Sequence, residues 1–363
     1  MFVGEFPAKL AMTLQNCDST VGNDNDCEGL NVPAKYLSPV ITGSELYSDL
    51  NEVTVNFEDF FSIGKPQKVL SQFTFKLTQL TYLPKVNNPR RDWVASVAVL
   101  AFLAHGAQNQ VRAFVTVGTG SGLDAIAAFE IFELDRLAIT DLHPAVVHAA
   151  VENIRSAILG RDVFIFAAAG DILAPLVGGK YDLIYENLPN IPLGPQQTIN
   201  AGQTSSTYVP CRFENIPAIA TENLLALHFL ALVQAKPLLS STGAGISSIG
   251  GRVPIAVLLK MASEAGYTAE ILAYTWKIQS EPEEVIGGYK KNQVDGHGPF
   301  YFYPASVLEK AFHSLSPAVA GGQAADIEKS LLSFRVDALG AYELHRNGLI
   351  MAHTVAIVRS TPL

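Results

Sequence analysis

With 363 residues, 48% of them hydrophobic, the chain carries enough apolar side chain for one large core or two modest ones. Only 16% of residues are charged and the net charge is −9, which argues against a broad phosphate-binding surface and so against nucleic acid as a partner. Three cysteines, Cys17, Cys27 and Cys211, match neither a disulfide framework nor a metal-ligand set, so no metal site is expected and a reducing, cytoplasmic setting is the simplest expectation. The first residues lack a basic region followed by an apolar run, and the longest apolar stretches, Val94 to Ala104 and Ile216 to Val233, are too short or too interrupted for a membrane span.

Residues 1 to 50 have little periodicity, and Asn16 to Glu28 reads as a polar surface loop. Val53-Thr54-Val55 and Phe73-Thr74-Phe75 give weak strand signals, and Phe57, Phe60, Phe61, Phe73, Phe75 and Tyr82 either line a pocket or pack against a main sheet. Pro89-Arg90-Arg91-Asp92 opens an apolar helical run from Trp93 to His105 that stops at Gly106. Phe114-Val115-Thr116-Val117 then reads as a strand that breaks into Gly118-Thr119-Gly120-Ser121-Gly122 before an alanine-rich helical segment. Glycines there allow positive φ and let a ligand approach the turn with no Cβ in the way. A P-loop is disfavoured because no Gly-Lys-Ser or Gly-Lys-Thr follows.

A second strand, Leu137 to Thr140, ends in Asp141, nineteen residues after Gly122, where an acidic side chain can accept both hydroxyl hydrogens of a ribose. Leu142-His143-Pro144 leads into a helix from Ala145 to Leu159, and Val163 to Phe166 is a third strand followed by Gly170-Asp171. Asp171 either accepts from an adenine amino group or caps a short turn. Tyr181 to Tyr185 is a fourth strand, and Glu186-Asn187-Leu188-Pro189-Asn190 breaks regular structure where a substrate would meet a cofactor.

At these residues the chain resembles the class I S-adenosylmethionine-dependent methyltransferases. It is nearest the group holding the protein-glutamine and some nucleic-acid amino methyltransferases, whose fourth strand ends in Asn/Asp-Pro-Pro-Tyr. The resemblance implies an α/β fold, a Rossmann-like seven-stranded class I methyltransferase sheet, with residues 89–280 and 348–363 as core. Residues 1–88 are then an N-terminal extension serving as a substrate or dimer region, and 281–347 a large late insertion suited to a substrate lid. It also implies S-adenosylmethionine as cofactor and S-adenosylhomocysteine as product, with Gly118, Gly120 and Gly122 beside the amino-acid portion, Asp141 at the ribose, Leu142 against adenine and Asp171 at the adenine edge.

Two departures stand out. Thr116 occupies the place where many relatives carry an acid before the glycine loop. Asn187-Leu188-Pro189-Asn190 keeps the first Asn and second Pro of the family pattern but has Leu for its first Pro and Asn for its aromatic Tyr. The resemblance thus leaves Asn187 to orient an amino group and removes the stacking ring at Asn190. Glu186 is either a base or charge stabiliser for a cationic amine, or a solvated strand-end carboxylate. The expected reaction is methyl transfer to an amino nitrogen of a small molecule. Protein-glutamine or nucleic-acid amino methylation, or a non-catalytic protein that binds the cofactor, are the alternatives.

The polar stretch from Gly194 to Pro217, with Tyr208 and Cys211, suits a substrate-covering loop. Thr221 to Gln234 is helical, Gly243 to Gly251 reads as flexible, Pro254 to Ala265 as a helix, and Thr268 to Ile278 and Ile350 to Val358 as strands. Inside the insertion, Phe300 to Pro304 is an aromatic ridge whose Tyr301 and Tyr303 either face a substrate or anchor the insertion; helices are expected over Val307 to Leu315 and Ala325 to Leu344. His297 is a candidate base in a turn-rich segment. The substrate-facing set is therefore Tyr185, Pro189, Asn190, Tyr208, His297, Tyr301 and Tyr303. Apolar segments outside the cofactor core are available for a homodimer.

Overall fold

Strand β1 (Asn51–Asn56) and strand β2 (Gln72–Leu77) form an antiparallel pair whose inward side chains include Val55, Phe73, Phe75 and Leu77. This computed structural model describes residues 51–160, 163–193, 207–210 and 212–363, all within a unit running from Thr42 to Leu363. Cys17, Cys27, Cys211 and most of the loop expected from Gly194 lie outside the described residues. The β1–β2 phenylalanines, with Phe57, Phe60 and Phe61, are buried in the same cluster as the helix Val99–Gly106, so the packing reading holds for them.

Five strands carry the part of the sheet that the early sequence anticipated: β3 (Ala113–Val117), β4 (Arg136–Asp141), β5 (Phe164–Ala169), β6 (Tyr181–Glu186) and, beyond two short strands, the long β9 (Leu239–Gly251). The short ones are β7 (Ile191–Pro192) and β8 (Tyr208–Val209), paired in parallel. β10 (Tyr267–Ile278), β11 (Tyr301–Pro304), β12 (Val336–Asp337) and β13 (Met351–Pro362) complete the described strands.

Hydrogen bonding runs in the order β5-β4-β3-β6-β9-β13-β10, with β13 antiparallel to both neighbours and the others parallel. This is the Rossmann-like order of a class I methyltransferase sheet. Every residue of β3 is buried, as a central parallel strand covered on both faces requires. Helices Leu123–Ile131 and Pro144–Ala157 cover one face with the β1–β2 pair, and helices Ala226–Ala235 and Ile255–Glu264 cover the other. β5, the outermost strand on its side, is only partly covered, with Phe164 64% exposed.

Two readings of the sequence need correction. Gly243 to Gly251 is not a flexible stretch but the greater part of β9, the fifth core strand. Its glycines are there for space: a Cβ on Gly243 would meet Tyr181 O, and one on Gly251 would meet Thr354 Oγ1. The expected helix from Ala325 to Leu344 is broken into Ala324–Ser330, a single 3-10 turn, β12 and Ala338–Arg346. The segment 281–347 is also woven into the sheet: β11 pairs with β13 at Tyr303↔Ala352 and with β12 at Phe302↔Val336. Because β13 runs antiparallel, its start, and with it β11, lies at the edge where the parallel strands end.

Candidate functional site

The glycine turn between β3 and helix Leu123–Ile131 is built for its backbone. Gly118, Gly120 and Gly122 all have positive φ, at 66°, 54° and 84°. At Gly122 a Cβ would lie 3.0 Å from Ile154 Cγ1 and 3.2 Å from Ala150 O, so the turn can approach the next helix only without a side chain. At Gly120 no atom lies nearer than Gly118 O at 4.0 Å, so the space above the turn is open.

Asp141 ends β4 beside that turn. Its Oδ2 accepts the Gly120 N–H at 3.1 Å and its Oδ1 accepts the His143 N–H at 3.2 Å, which ties the acid to the glycine loop. Burial pushes its carboxyl up from the ordinary range, and the two N–H bonds pull it partly back. The next residue, Leu142, is 46% exposed although apolar, and the Gly170 N–H donates to Asp141 O at 2.9 Å, drawing the end of β5 alongside. Asp141, Leu142 and Asp171 therefore lie together at one edge of the sheet.

Thr116 is fully buried and its hydroxyl donates to Asp124 in the helix that follows the glycine turn. Asp124 also accepts the Ala125 N–H at 2.8 Å, and burial raises its carboxyl to about 6. The acid missing from the Thr116 position is thus present beneath the same loop, carried eight residues further on. Nothing in the glycine pattern announces it; an aspartate inside an alanine-rich helix is the only signal.

Asp171 is held by a residue that sequence reasoning passed over. Arg212 Nη1 donates to Oδ1 and Nη2 to Oδ2, both at 2.7 Å, while its Nε and Nη2 also donate to Glu214. A polar loop conceals such an arginine, since its partner is fixed only by the fold.

At the end of β6, Glu186 is not a solvated carboxylate. It is buried, both its oxygens lie 2.8 Å from His228 Nδ1, and Oε2 also accepts the Leu188 N–H at 3.1 Å. The carboxylate places a proton on Nδ1, leaving Nε2 buried with no partner among the described residues. His228 was also missed; the hint is a lone polar residue in the apolar run from Leu224 to Val233.

This pair explains the altered motif. A proline at 188 has no N–H to give Glu186, whereas leucine does. The Leu188 side chain also leans on the glycine turn, 3.1 Å from where a Cβ on Gly118 would stand. Asn190, in place of the ring, donates through Nδ2 to Leu224 O at 2.9 Å, at a residue whose φ is +55°. Asn187, between Glu186 and Leu188, is half-buried, and no hydrogen bond joins its side-chain amide to a described residue. Pro189 is half-buried beside it.

The remaining substrate-facing expectations are scattered. Tyr185 points away from the strand end into the core, its ring 4.8 Å from that of Phe102. Tyr303 is buried and its hydroxyl accepts from Arg335 Nε, and Arg335 lies over the Tyr301 ring, so these contacts stay within the insertion, while Tyr303 also pairs with Ala352 of β13. His297 Nδ1 is 3.3 Å from Asn292 O at the end of helix Pro282–Val294. Tyr208 in β8 is half-buried opposite Ile191, one residue beyond Asn190, and its hydroxyl donates to Glu284 O at 3.4 Å. Tyr208 is the one aromatic of the set that borders the altered turn. Among the described residues no cluster of His, Cys, Asp or Glu could hold a metal, and no helix is long and apolar enough to cross a membrane.

No family model matches the chain. It is similar to a release factor glutamine methyltransferase of Moorella thermoacetica, with 36% identity over 118 residues, 32% of this chain and 38% of that protein. The chain thus matches well under two thirds of that relative's length. Among solved structures it is similar to the N-methyltransferase NodS of Bradyrhizobium japonicum (13% identity, TM-score 0.37, 56% of this chain and 90% of that one). A precorrin-6y C5,15-methyltransferase of Geobacter metallireducens gives 12% identity and a TM-score of 0.36 over 80% of this chain and 94% of that one. Likenesses this loose carry no argument about chemistry.

Proposed function

We propose that the chain binds S-adenosylmethionine across the β3, β4 and β5 strand ends and transfers its methyl group to a nitrogen held at Asn187. The residues fit the group: an open space over Gly120, a carboxylate at Asp141 and an exposed apolar face at Leu142 suit an amino-acid portion, a ribose and a base in turn. When bound, its sulfonium supplies an electrophilic methyl group. Asn187 can then accept a hydrogen from the incoming nitrogen and keep its lone pair aligned, which is the chief requirement of a direct transfer. Glu186 and His228 hold the turn that carries Asn187, and their burial keeps bulk water from its base.

The observation that carries the reading is the half-buried Asn187 amide, free among described groups, on a turn that touches the glycine loop through Leu188. Two acceptor classes have support. The stretch shared with the glutamine methyltransferase favours a planar side-chain amide of a protein. The use of Asn190 to bind Leu224 O, where that group has a ring, favours a small amine that needs no stacking partner. Labelled methyl transfer tests both, using a glutamine-containing peptide in one arm and a panel of small primary amines in the other. Transfer in either arm that is lost in Asn187→Ala supports the reading and selects the class. Cofactor binding with no transfer in either arm favours a protein that only binds the cofactor.

A further inference from the structure

Arg212 has no part in the reading above, yet it grips the residue assigned to the adenine edge. A guanidinium has five N–H groups, and four of them are spoken for: Nε to Glu214, Nη2 to both Glu214 and Asp171, and one hydrogen of Nη1 to Asp171. The fifth, on Nη1, has no acceptor among the described residues. Each Asp171 oxygen takes one hydrogen bond from the arginine, so each keeps an outer lone pair. In a bidentate fork the outer hydrogen of a terminal nitrogen and the outer lone pair of the oxygen facing it point to the same flank. On the Nη2 flank Glu214 takes the hydrogen. On the Nη1 flank a donor and an acceptor are left side by side with no partner among the described residues.

That pairing has a chemical complement. Adenine presents its 6-amino hydrogen, a donor, next to a ring nitrogen that accepts, on either side of the amino group. The pair is neither sealed nor fully solvated, with the Arg212 side chain 17% and the Asp171 side chain 37% exposed. Asp171 follows Gly170, whose N–H binds Asp141 O, so the fork stands next to the exposed Leu142 on which a base plane would rest. A swing of Arg212 away from Asp171 would exchange two charge-assisted bonds for one bond from a neutral amino group. The arginine therefore stays when the base arrives.

We infer that Asp171 and Arg212 act as one unit that reads the base, Asp171 accepting from the 6-amino group and the free Nη1–H of Arg212 donating to the adjacent ring nitrogen. The inference rests on the cofactor reading. It assigns Arg212 a role in choosing the purine, distinct from holding its loop.

Calorimetry with S-adenosylhomocysteine and its 1-deaza and 7-deaza analogues tests it without any methyl acceptor. Wild type should bind one of the two deaza analogues about tenfold more weakly than the parent, the loss of one hydrogen bond to a charged donor. Arg212→Met should bind the parent about tenfold more weakly and no longer distinguish it from that analogue. Arg212→Lys, which keeps the charge but not the fork, should behave likewise, and melting curves check that both variants are folded. Asp141→Asn should weaken all three ligands by a common factor. Wild type that binds both deaza analogues as tightly as the parent overturns the inference. So does Arg212→Met that binds the parent more tightly, which would make Arg212 a competitor, or that weakens all three alike, which would make it a loop support. Folded wild type that binds none of the three overturns the cofactor reading itself.

Discussion

Replacing His228 with alanine is the sharpest probe of the strand-end architecture. In the native chain the Glu186 carboxylate and the His228 imidazole are 4% and 1% exposed, and Nδ1 is 2.8 Å from each oxygen. Without the imidazole the carboxylate keeps only the Leu188 N–H among the described donors. An uncompensated buried charge of this kind costs about 3–5 kcal/mol, a large share of the roughly 5–15 kcal/mol that holds a typical domain folded. In Glu186→Gln the charge is gone, so the double variant should be more stable than His228→Ala alone, although it has lost more bonds. Urea unfolding of wild type, both singles and the double gives the coupling, expected at about 2–3 kcal/mol. Two independent, additive losses, or a His228→Ala cost below about 1 kcal/mol, would mean that the pair is incidental packing and does not brace the Asn187 turn.

Three further outcomes follow from the same structure. Asp124 has its carboxyl raised from 3.8 to about 6, so the folded state holds its proton more tightly than the unfolded one. Its contribution is fully present below pH 3.8, is lost as pH rises through 6, and amounts to about 3 kcal/mol at about 1.4 kcal/mol per unit. Unfolding midpoints between pH 4 and 6 should show that slope in wild type relative to Asp124→Asn. Lys277 behaves in the opposite sense: burial lowers its ammonium from 10.5 to about 7, so stability should climb with pH across that window by up to about 5 kcal/mol. Lys277→Met, measured against wild type at pH 7, 8, 9 and 10, should remove the climb. Gly122→Ala forces a Cβ onto a residue at φ 84° and against Ala150 O and Ile154; it should cost about 1–3 kcal/mol and weaken S-adenosylhomocysteine, read by melting and calorimetry.

Much of the half built from β3 to β6 was legible because its determinants are local. A buried parallel strand reads as an apolar run, a positive-φ turn reads as glycine, and the acid at the end of β4 falls at a spacing set by one strand-helix-strand unit. β9 was not legible because its glycines answer to tertiary crowding, from Tyr181 O and Thr354 among others, and not to local flexibility. The break of the helix expected over Ala325 to Leu344 has a similar origin. Val336 and Asp337 are drawn into pairing with Tyr301 and Phe302, which no local propensity could anticipate. Glu186 was placed at the right strand end, but its state depended on a histidine 42 residues away in sequence.

Viewed together, the motif changes form one system. Leucine at 188 supplies the N–H that a proline lacks, and that N–H goes to Glu186. Glu186 can stay buried because His228 reaches it from the helix Ala226–Ala235. Asn190 fastens the far end of the same turn to Leu224, two residues before that helix begins. The turn bearing Asn187 is therefore bonded at both ends to one stretch of chain. The described tethers of this turn are hydrogen bonds and not ring stacking. Asn190→Tyr gives up the bond to Leu224 O and should therefore perturb the turn, read as a lower unfolding midpoint than wild type.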